Sequence, residues 1–289
     1  MTEAEIESHI HAALRAAWFA GREIMDVYRG RVDVQWKNDR SPLTEADLSA
    51  HRVITEFLQA RTPNTPILSE EAANIPYDIR RDWSACWLVD PLDGTKEFIK
   101  RNDEFTVNIA LVDHGQPVAG VVYAPALGQC WFGGEGVGAW RLDVGHEEEM
   151  PATWEALVSR AEPLPLKRHT GRLGGSLALQ AEPYGPLVVV ASRSHRNPET
   201  DAFIEALRVE HPKLELISAG SALKLCLVAE GSADVYPRFA PTMEWDTAAG
   251  HAVCAACGIS VTRYPEGTPL MYNRENLRNP WFLIDARRA

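Results

Sequence analysis

The chain lacks any apolar run long enough to cross a bilayer, which would take about 20 consecutive residues. Its first seven residues are acidic where a secretory signal is basic, so we expect no export. Basic residues are also outnumbered by acidic ones. The chain has 29 Lys and Arg and 40 Asp and Glu, which gives a formal net charge of −11. Proteins that bind nucleic-acid polymers are usually basic, so we expect no such partner. A small phosphorylated molecule is not excluded, because bound cations can invert the local field.

Cysteine is scarce too. The five cysteines, an odd number in apolar or helical surroundings, are typical of buried thiols in a reducing compartment and predict a cytoplasmic protein. Cys254 and Cys257 follow His251 at a metal-like spacing, but no second cysteine pair follows them, so we interpret them as packing residues. The glycine-rich run at 133–138 lacks the helix that a dinucleotide fingerprint needs, and the sequence contains no P-loop.

At 289 residues the chain exceeds the ~150 residues of a typical domain, so we expect one large or two coupled domains. Apolar residues at helical spacing from Ile6 to Val27, ended by Gly30, predict the first helix. Strands are predicted at 67–68, 86–89, 106–112 and 118–123, with a hairpin turn at 113–116. Residues 1–142 are therefore expected to form an α+β part that carries the metal site.

The second half of the chain alternates between strand and helix signals. Strands are predicted at 187–190, 214–217, 234–236 and 259–262, and helices are predicted to begin near Pro198, Ser221 and Asp246. This alternation favours an α/β part, residues 187–289, whose substrate-binding residues lie on loops at strand ends. Residues 143–186 predict a partly mobile linker or surface insertion, with one helix around 153–161.

The strongest functional signal is an acidic turn after an apolar strand. Trp87 to Val89 leads directly to Asp90, and because Pro91 has no N–H for a sheet ladder, we expect the chain to turn there. Asp93 and Gly94 follow, and glycine permits close approach of the backbone to a ligand. Two carboxylates three residues apart on a tight turn repel each other unless a cation lies between them.

Two other short stretches also carry acidic residues: Glu70 with Glu71 after an apolar run, and Asp246 in the run 244–250. Oxygen ligands of this kind select hard cations, chiefly Mg²⁺. Each stretch alone has a simpler explanation, as an ordinary turn, a solvated loop end or an acid at a helix start. Asp47 with Thr44 likewise has the form of a capping box. Together and in this order, the acidic stretches are hard to produce by chance.

Two of these stretches, D-P-L-D-G-T at 90–95 and W-D-T-A-A-G at 245–250, resemble the signatures of the inositol-monophosphatase superfamily. Its members are Mg²⁺-dependent, lithium-sensitive phosphomonoesterases. The chain is most similar to the 3′(2′),5′-bisphosphate nucleotidases of that superfamily, through the runs 68–71, 90–101, 105–111, 120–125, 192–195, 236–239 and 245–253. The resemblance extends to about residue 140 and resumes at about residue 187. It implies an α/β fold, a layered α-β-α-β-α sandwich of the inositol-monophosphatase and fructose-bisphosphatase type.

The resemblance also implies roles for particular residues, with two or three Mg²⁺ ions as cofactor. The implied metal ligands are Glu70, Asp90, the carbonyl of Leu92, Asp93 and Asp246. The implied catalytic residues, which orient water, are Asp47, Glu70 and Thr95. The implied substrate-binding residues are Gly94, Thr95, His195, Ser221, Lys224, Arg238 and Asp246. From the residue types alone, Ser221 could instead cap a helix, Lys224 and Arg238 could be solvated surface charges, and His195 could be a loop residue.

The implied reaction is hydrolysis of the 3′-phosphate of adenosine 3′,5′-bisphosphate to AMP and phosphate, a step of sulfur metabolism. The related phosphosulfate, 3′-phosphoadenosine 5′-phosphosulfate, is a second expected substrate. Inositol monophosphate and fructose 1,6-bisphosphate stay open as alternative substrates for the same metal chemistry. A non-catalytic metal or nucleotide sensor would be expected to lack one of the acidic residues or Thr95, and none is missing. Peripheral association with the cytoplasmic face of the inner membrane also stays open.

Overall fold

The computed structural model describes residues 1–30, 34–36, 42–145, 149–167, 185–193 and 196–288. Helix α1 (Glu3–Arg29) covers the predicted first helix, and it packs beside α2 (Glu45–Arg61) on the N-terminal part. The other helices are α3 (Tyr77–Arg80), α4 (Thr95–Lys100), α5 (Trp154–Arg160), α6 (Pro198–Glu210), α7 (Leu223–Ala229) and α8 (Glu244–Ala256), with 3₁₀ turns at Glu70–Ala72 and Ala286–Arg288. In the described ranges, no helix is both long and apolar enough to cross a membrane.

A seven-stranded sheet forms the centre of the N-terminal part. Its strands, in spatial order, are β3 (Ile67–Ser69), β4 (Ala85–Asp93), β5 (Thr106–Asp113), β6 (Gln116–Ala124), β7 (Gln129–Gly134), β8 (Gly138–Asp143) and β9 (Glu162–Pro163). The pair β3–β4 is parallel and the other neighbours are antiparallel. A separate two-stranded pair, β1 (Val34–Trp36) and β2 (Pro42–Thr44), leads into α2. The glycine-rich run at 133–138 lies in the β7–β8 hairpin, as expected from the absence of a helix signal.

The expected turn at Pro91 is wrong in one respect, because β4 does not end before it. The ladder with β5 pairs Asp90 with Asn108, loses its register, and resumes at Asp93 opposite Thr106. Proline cannot donate to the ladder, and a break in register is how an extended strand accommodates it. The interruption therefore lies between the two aspartates of the acidic turn.

A five-stranded sheet forms the centre of the C-terminal part. Its spatial order is β11 (Glu215–Ala219), β10 (Val188–Ser192), β12 (Val235–Arg238), β14 (Phe282–Asp285) and β13 (Val261–Arg263). The sequence interpretation missed β14, which pairs antiparallel with both β12 and β13. Four apolar residues, from Trp281 to Ile284, were the available signal, and so short a run is ambiguous on its own.

Three hydrophobic cores separate the layers of the molecule. One face of the first sheet packs on α1 and α2, with Trp87 and Val89 inside. The opposite face, which includes Leu88, meets α7, α8 and one face of the second sheet. The other face of the second sheet packs on α6 through residues such as Val189 and Ile204. The order is helices, sheet, helices, sheet, helix, which confirms the predicted layered sandwich.

Helix α8 lies between the two sheets, and small residues on both sides allow this close packing. A Cβ at Gly120 of β6 would lie 2.2 Å from the carbonyl oxygen of Ala249 and 2.8 Å from the Ala252 Cβ. On the other side, a Cβ at Gly250 would lie 2.6 Å from the Leu225 Cβ of α7. Real Cβ atoms do not approach backbone oxygens this closely, so glycine is required at Gly120.

Part of the predicted insertion is ordered structure that extends the first sheet. Helix α5 lies within the predicted range 153–161 and contacts α1, and β9 pairs with β8 at the sheet edge. Leu166 and Lys167 then donate their N–H groups to the carbonyl of Glu230, at the end of α7. The division of the chain at residues 142 and 187 stays a prediction.

We predict that Gly120→Ala lowers the free energy of unfolding by about 1–3 kcal/mol, because the new methyl group overpacks the contact with α8. Gly185→Ala is the matched control, since a Cβ there would meet no atom within 4 Å. The control should change stability by less than about 0.5 kcal/mol. Urea denaturation of the two variants measures both values. Equal stability of both variants would contradict the close packing of α8 on the first sheet.

Candidate active site

Loops from both sheets meet at one cavity of about 280 Å³. The N-terminal part contributes the β4–α4 turn and Glu70, and the C-terminal part contributes the end of β10, the β11–α7 loop and the start of α8. The cavity therefore exists only when both parts are folded against each other. The two signature motifs, far apart in sequence, thus lie in the wall of one cavity.

Main-chain contacts fix the conformation of the acidic turn, residues 90–95. Asp90 is 1% exposed, and its Oδ1 accepts the N–H of Leu92 at 3.1 Å. Gly94 has a left-handed backbone with φ of 91°, and a Cβ there would lie 3.1 Å from the carbonyl oxygen of Glu104. Thr95 is the first residue of α4, so the turn delivers its hydroxyl at the start of that helix.

Asp47 caps a helix and contacts the acidic turn at the same time. Its Oδ2 accepts the N–H of Thr44 at 2.7 Å, as the predicted capping box requires, and it also accepts the Thr44 hydroxyl at 2.6 Å. Its Oδ1 accepts the Thr95 hydroxyl at 3.4 Å, and that hydroxyl also lies 3.4 Å from the carbonyl oxygen of Leu92. The two explanations of Asp47 are thus compatible.

Three carboxylates from separate elements converge on the cavity. Glu70, Asp90 and Asp246 each place an oxygen within 4.8 Å of the others. Asp246 is the third residue of α8, and its Oδ2 accepts the Met243 N–H at 2.9 Å. Asp93 lines the same cavity. Carboxylate oxygens therefore lie close together in a partly buried cavity, where like charges repel each other strongly.

Burial, together with the neighbouring charges, raises the pKa of three of these acids. Burial, followed by the charges of Glu70 and Asp93, raises the pKa of Asp90 well above its ordinary value. Burial and then Asp93 do the same for the pKa of Asp246. Burial raises the pKa of Asp47 to about 6, against the hydrogen bonds from Thr44. A bound cation would relieve both the repulsion and the burial of charge, so the all-oxygen donor set fits a hard divalent ion.

The C-terminal wall of the cavity is basic. Lys224 is 5% exposed, so the alternative of a solvated helix residue is wrong. Its ammonium donates to the carbonyl of Ala219 at 3.2 Å and to that of Ser221, and burial lowers its pKa to about 8. Arg238 is 9% exposed, which likewise excludes an ordinary surface charge. Its terminal nitrogen donates to Pro241 at 2.8 Å.

The Nε of Arg238 is buried and has no hydrogen-bond partner within the part of the chain that the structure describes. Buried polar groups are nearly always paired, so this donor is an exception. Lys224 lies over the ring of Tyr236, 5.8 Å from its centroid, on the same wall. The wall can therefore bind an anion opposite the carboxylates.

Ser221 joins the two walls and does not cap a helix. The N-cap of α7 is Ala222, and Ser221 adopts a left-handed backbone with φ of 47°. Its hydroxyl donates to Asp93 Oδ2 at 2.7 Å and makes a short contact with the Thr106 hydroxyl. His195, the remaining residue expected to bind substrate, lies outside the described residues.

Sequence reasoning missed several residues that line or support the cavity. Thr106 and Asn108 are fully buried in β5, and Asn108 donates to Asp93 at 3.4 Å. Polar residues inside an otherwise apolar strand were a signal that could have found them. Glu104 and Arg193 form an ion pair of 2.9 Å between the two parts of the chain, and no local pattern indicates that contact.

Comparison with known proteins agrees with this geometry. The model of the inositol monophosphatase family matches residues 5–285. The 3′(2′),5′-bisphosphate nucleotidase CysQ of Escherichia coli K12 is 45% identical over 268 residues, which cover 92% of this chain and 94% of that protein. CysQ of Haemophilus influenzae is 32% identical over 280 residues, covering 96% of this chain and 93% of that protein.

Solved structures give the same result. The crystal structure of CysQ from Bacteroides thetaiotaomicron, a bacterial member of the inositol monophosphatase family, is 45% identical to this chain with a TM-score of 0.85, covering 99% of this chain and all of that one (100%). The extragenic suppressor protein SuhB of Bartonella henselae is 25% identical with a TM-score of 0.67, covering 95% and 92% of the two chains. This chain belongs to the inositol monophosphatase family.

Proposed function

We propose that this chain is a Mg²⁺-dependent 3′(2′),5′-bisphosphate nucleotidase that hydrolyses the 3′-phosphate of adenosine 3′,5′-bisphosphate to AMP and phosphate. One observation carries the proposal: a single cavity has a cluster of carboxylates, with Asp90 buried, on one wall and two buried cations, Lys224 and Arg238, on the other. A metal-dependent monophosphatase needs only the first wall. A substrate with a second phosphate uses both, and the relatives named CysQ support this choice.

The metal ligands we propose are those that the family resemblance implies. Glu70, Asp90 and the carbonyl of Leu92 would hold one Mg²⁺, and Asp90, Asp93 and Asp246 would hold a second. A third, weaker ion would lie near Glu70 and Asp47. When bound, the ions would activate a water molecule and neutralise the charge that develops on the phosphoryl group.

The protein's own residues would position the nucleophile and the phosphate. The Thr95 hydroxyl donates toward Asp47 and Leu92, so a lone pair on its oxygen is left to accept a hydrogen bond from the attacking water. Asp47 Oδ1 would fix that orientation as the acceptor. The N–H groups of Gly94 and Thr95 would bind phosphate oxygens at the start of α4. These contacts are expected to tighten when substrate is present.

On the opposite wall, Lys224 and Arg238 would bind the phosphate that is not cleaved, and Ser221 would contact the nucleoside. The family resemblance implies the same role for His195. Lys224 stays charged at neutral pH even though burial lowers its pKa to about 8. Arg238, which also lines the cavity, would donate to that phosphate through its guanidinium. Charge-assisted hydrogen bonds to phosphate are among the stronger ones in proteins.

The direct test measures phosphate release with and without Mg²⁺ from three substrates: adenosine 3′,5′-bisphosphate, inositol 1-phosphate and fructose 1,6-bisphosphate. We expect the adenosine bisphosphate to have the highest kcat/KM and all activity to require Mg²⁺. A higher kcat/KM for either alternative substrate would overturn the substrate assignment. Mg²⁺-independent turnover would overturn the metal assignment.

We predict that Asp93→Asn and Asp246→Asn each abolish turnover while leaving the fold intact. Changes in groups that merely support a metal ligand cost about 10- to 100-fold, so loss of charge on a ligand itself should cost more. The assay is phosphate release at saturating Mg²⁺, with circular dichroism to check folding. Asp113→Asn, at the far end of β5, is the matched control and should keep full activity. Near-normal turnover of either site variant would contradict the assigned ligands.

We also predict that Asp90→Asn raises the melting temperature of the metal-free protein. An acid whose pKa is raised on folding loses stability as pH rises above its unfolded value, near 4, and the loss continues through its folded pKa. Asparagine carries no charge and can still accept the Leu92 N–H. The gain should be larger at about pH 8 than at about pH 5, since Asp90 is more ionised at the higher pH. Scanning calorimetry in a chelator measures both, and a lower melting temperature at both pH values would contradict the repulsion.

Finally, Lys224→Ala or Arg238→Ala should weaken binding of a bisphosphate more than that of a monophosphate. Hydrogen bonds to charged groups contribute about 1.5–3 kcal/mol, so we expect a rise in KM of roughly tenfold to a hundredfold. Turnover at saturation should fall less, because these contacts are the same in the ground and transition states. Arg238→Lys should rescue only in part. Equal losses on both substrates would mean that these side chains are structural.

A further inference from the structure

Glu104 reaches from the loop between α4 and β5 into the C-terminal part. Its Oε2 accepts the N–H of Gly220 at 2.8 Å, and its Oε1 contacts the guanidinium of Arg193 at 2.9 Å. Gly220 directly follows β11, and Arg193 directly follows β10, which is the parallel neighbour of β11. One carboxylate of the N-terminal part therefore holds the ends of two adjacent strands of the other part.

The main chain around Glu104 is packed just as closely. A Cβ at Gly220 would lie 2.8 Å from the Glu104 carbonyl oxygen, and a Cβ at Gly94 would lie 3.1 Å from the same atom. The acidic turn, Glu104 and the β11–α7 loop thus form one three-way contact. The same loop supplies the carbonyls of Ala219 and Ser221 to which the Lys224 ammonium donates.

Arg193 stands at the mouth of the cavity that Lys224 and Arg238 line from inside. Its side chain is 49% exposed, whereas Lys224 and Arg238 are 5% and 9% exposed as residues. Within the described ranges, its guanidinium makes one side-chain hydrogen bond, to Glu104. A guanidinium has five N–H donors in a fixed plane, so this bond orients the group and leaves donors for an anion.

The simpler explanation is an ordinary surface ion pair, which typically contributes little to the stability of a protein. Two observations argue for more. The same carboxylate also accepts a backbone N–H in a closely packed contact, and its partner Arg193 lines the cavity. A surface pair would leave substrate binding unaffected, which separates the two explanations.

We propose that Arg193 is a specificity-determining residue that binds the uncleaved phosphate of a nucleoside bisphosphate, and that Glu104 is the positioning residue that orients it. This inference rests on the proposed function. Lys224 and Arg238 contact that phosphate from the buried side, and Arg193 contacts it from the solvent side. Selection of a bisphosphate over a monophosphate then depends on three cations from different elements.

The test is steady-state kinetics on adenosine 3′,5′-bisphosphate and adenosine 3′-monophosphate. Arg193→Ala should raise KM for the bisphosphate about tenfold, the effect of losing one hydrogen bond to a charged group, and should change KM for the monophosphate less than about threefold. Turnover at saturation should stay within about threefold on both substrates. Arg193→Lys should restore part of the loss, since it keeps the charge without the planar fork.

Glu104→Gln isolates the positioning role. Glutamine can still accept the Gly220 N–H, but it cannot form an ion pair with Arg193. We expect a smaller rise in KM for the bisphosphate, about threefold, that vanishes when the change is made in the Arg193→Ala background, as a double-mutant cycle requires for coupled residues. Arg196→Ala is the matched control, because Arg196 forms a similar exposed pair with Asp201, at 2.5 Å, and does not line the cavity.

The outcomes separate this inference from the proposed function. Wild-type protein without preference for the bisphosphate would overturn the proposed function and this inference with it. Wild-type preference for the bisphosphate, together with Arg193→Ala kinetics unchanged or equally impaired on both substrates, would overturn this inference alone. Independent effects of Glu104→Gln and Arg193→Ala would overturn the positioning role of Glu104.

Discussion

Mutual repulsion among closely spaced carboxylates, one buried and the others half-buried, is the constraint around which this molecule is arranged. Glu70, Asp90 and Asp246 bring oxygens within 4.8 Å of one another, and the pKa of Asp90 and that of Asp246 are raised first by burial. A purely structural role does not explain such a cluster, because burying like charges costs free energy that packing must offset. Bound divalent cations would offset this repulsion. The stability of the folded protein is therefore expected to increase when the cations bind.

Helix α8 connects this constraint to the rest of the fold. It carries Asp246, lies between the two sheets, and begins with Glu244, which is fully buried. Glu244 pairs with Arg274 at 3.0 Å and accepts the Asn273 N–H at 2.6 Å, and Asn273 in turn exchanges hydrogen bonds with Arg80 of the N-terminal part. The start of α8 is therefore fixed from both sides, and the carboxylate that completes the acidic cluster is positioned by contacts between the two parts.

Local pattern predicted much of this structure. The predicted strands 86–89, 106–112 and 118–123 lie inside β4, β5 and β6, because apolar runs and flanking turns are local signals. Long-range contacts were beyond such reasoning: Glu104 meets Gly220 across 116 positions, and only the folded chain brings them together. From residue type alone, Lys224 and Arg238 could be solvated surface charges. In the structure both side chains are buried in the cavity wall, which excludes that alternative. The metal-ligand roles themselves stay predictions.

The most direct test of the account locates the ions. Crystals of the protein would be grown with Mn²⁺ in place of Mg²⁺ and measured at the manganese absorption edge. An anomalous peak should lie about 2.0–2.2 Å from a carboxylate oxygen of Asp90, which is the distance of a direct metal–oxygen bond. A second peak should lie between Asp90, Asp93 and Asp246, and both should weaken in crystals of Asp246→Asn. Catalytically active crystals with no anomalous peak at Asp90 would contradict the claim that the clustered carboxylates bind divalent cations.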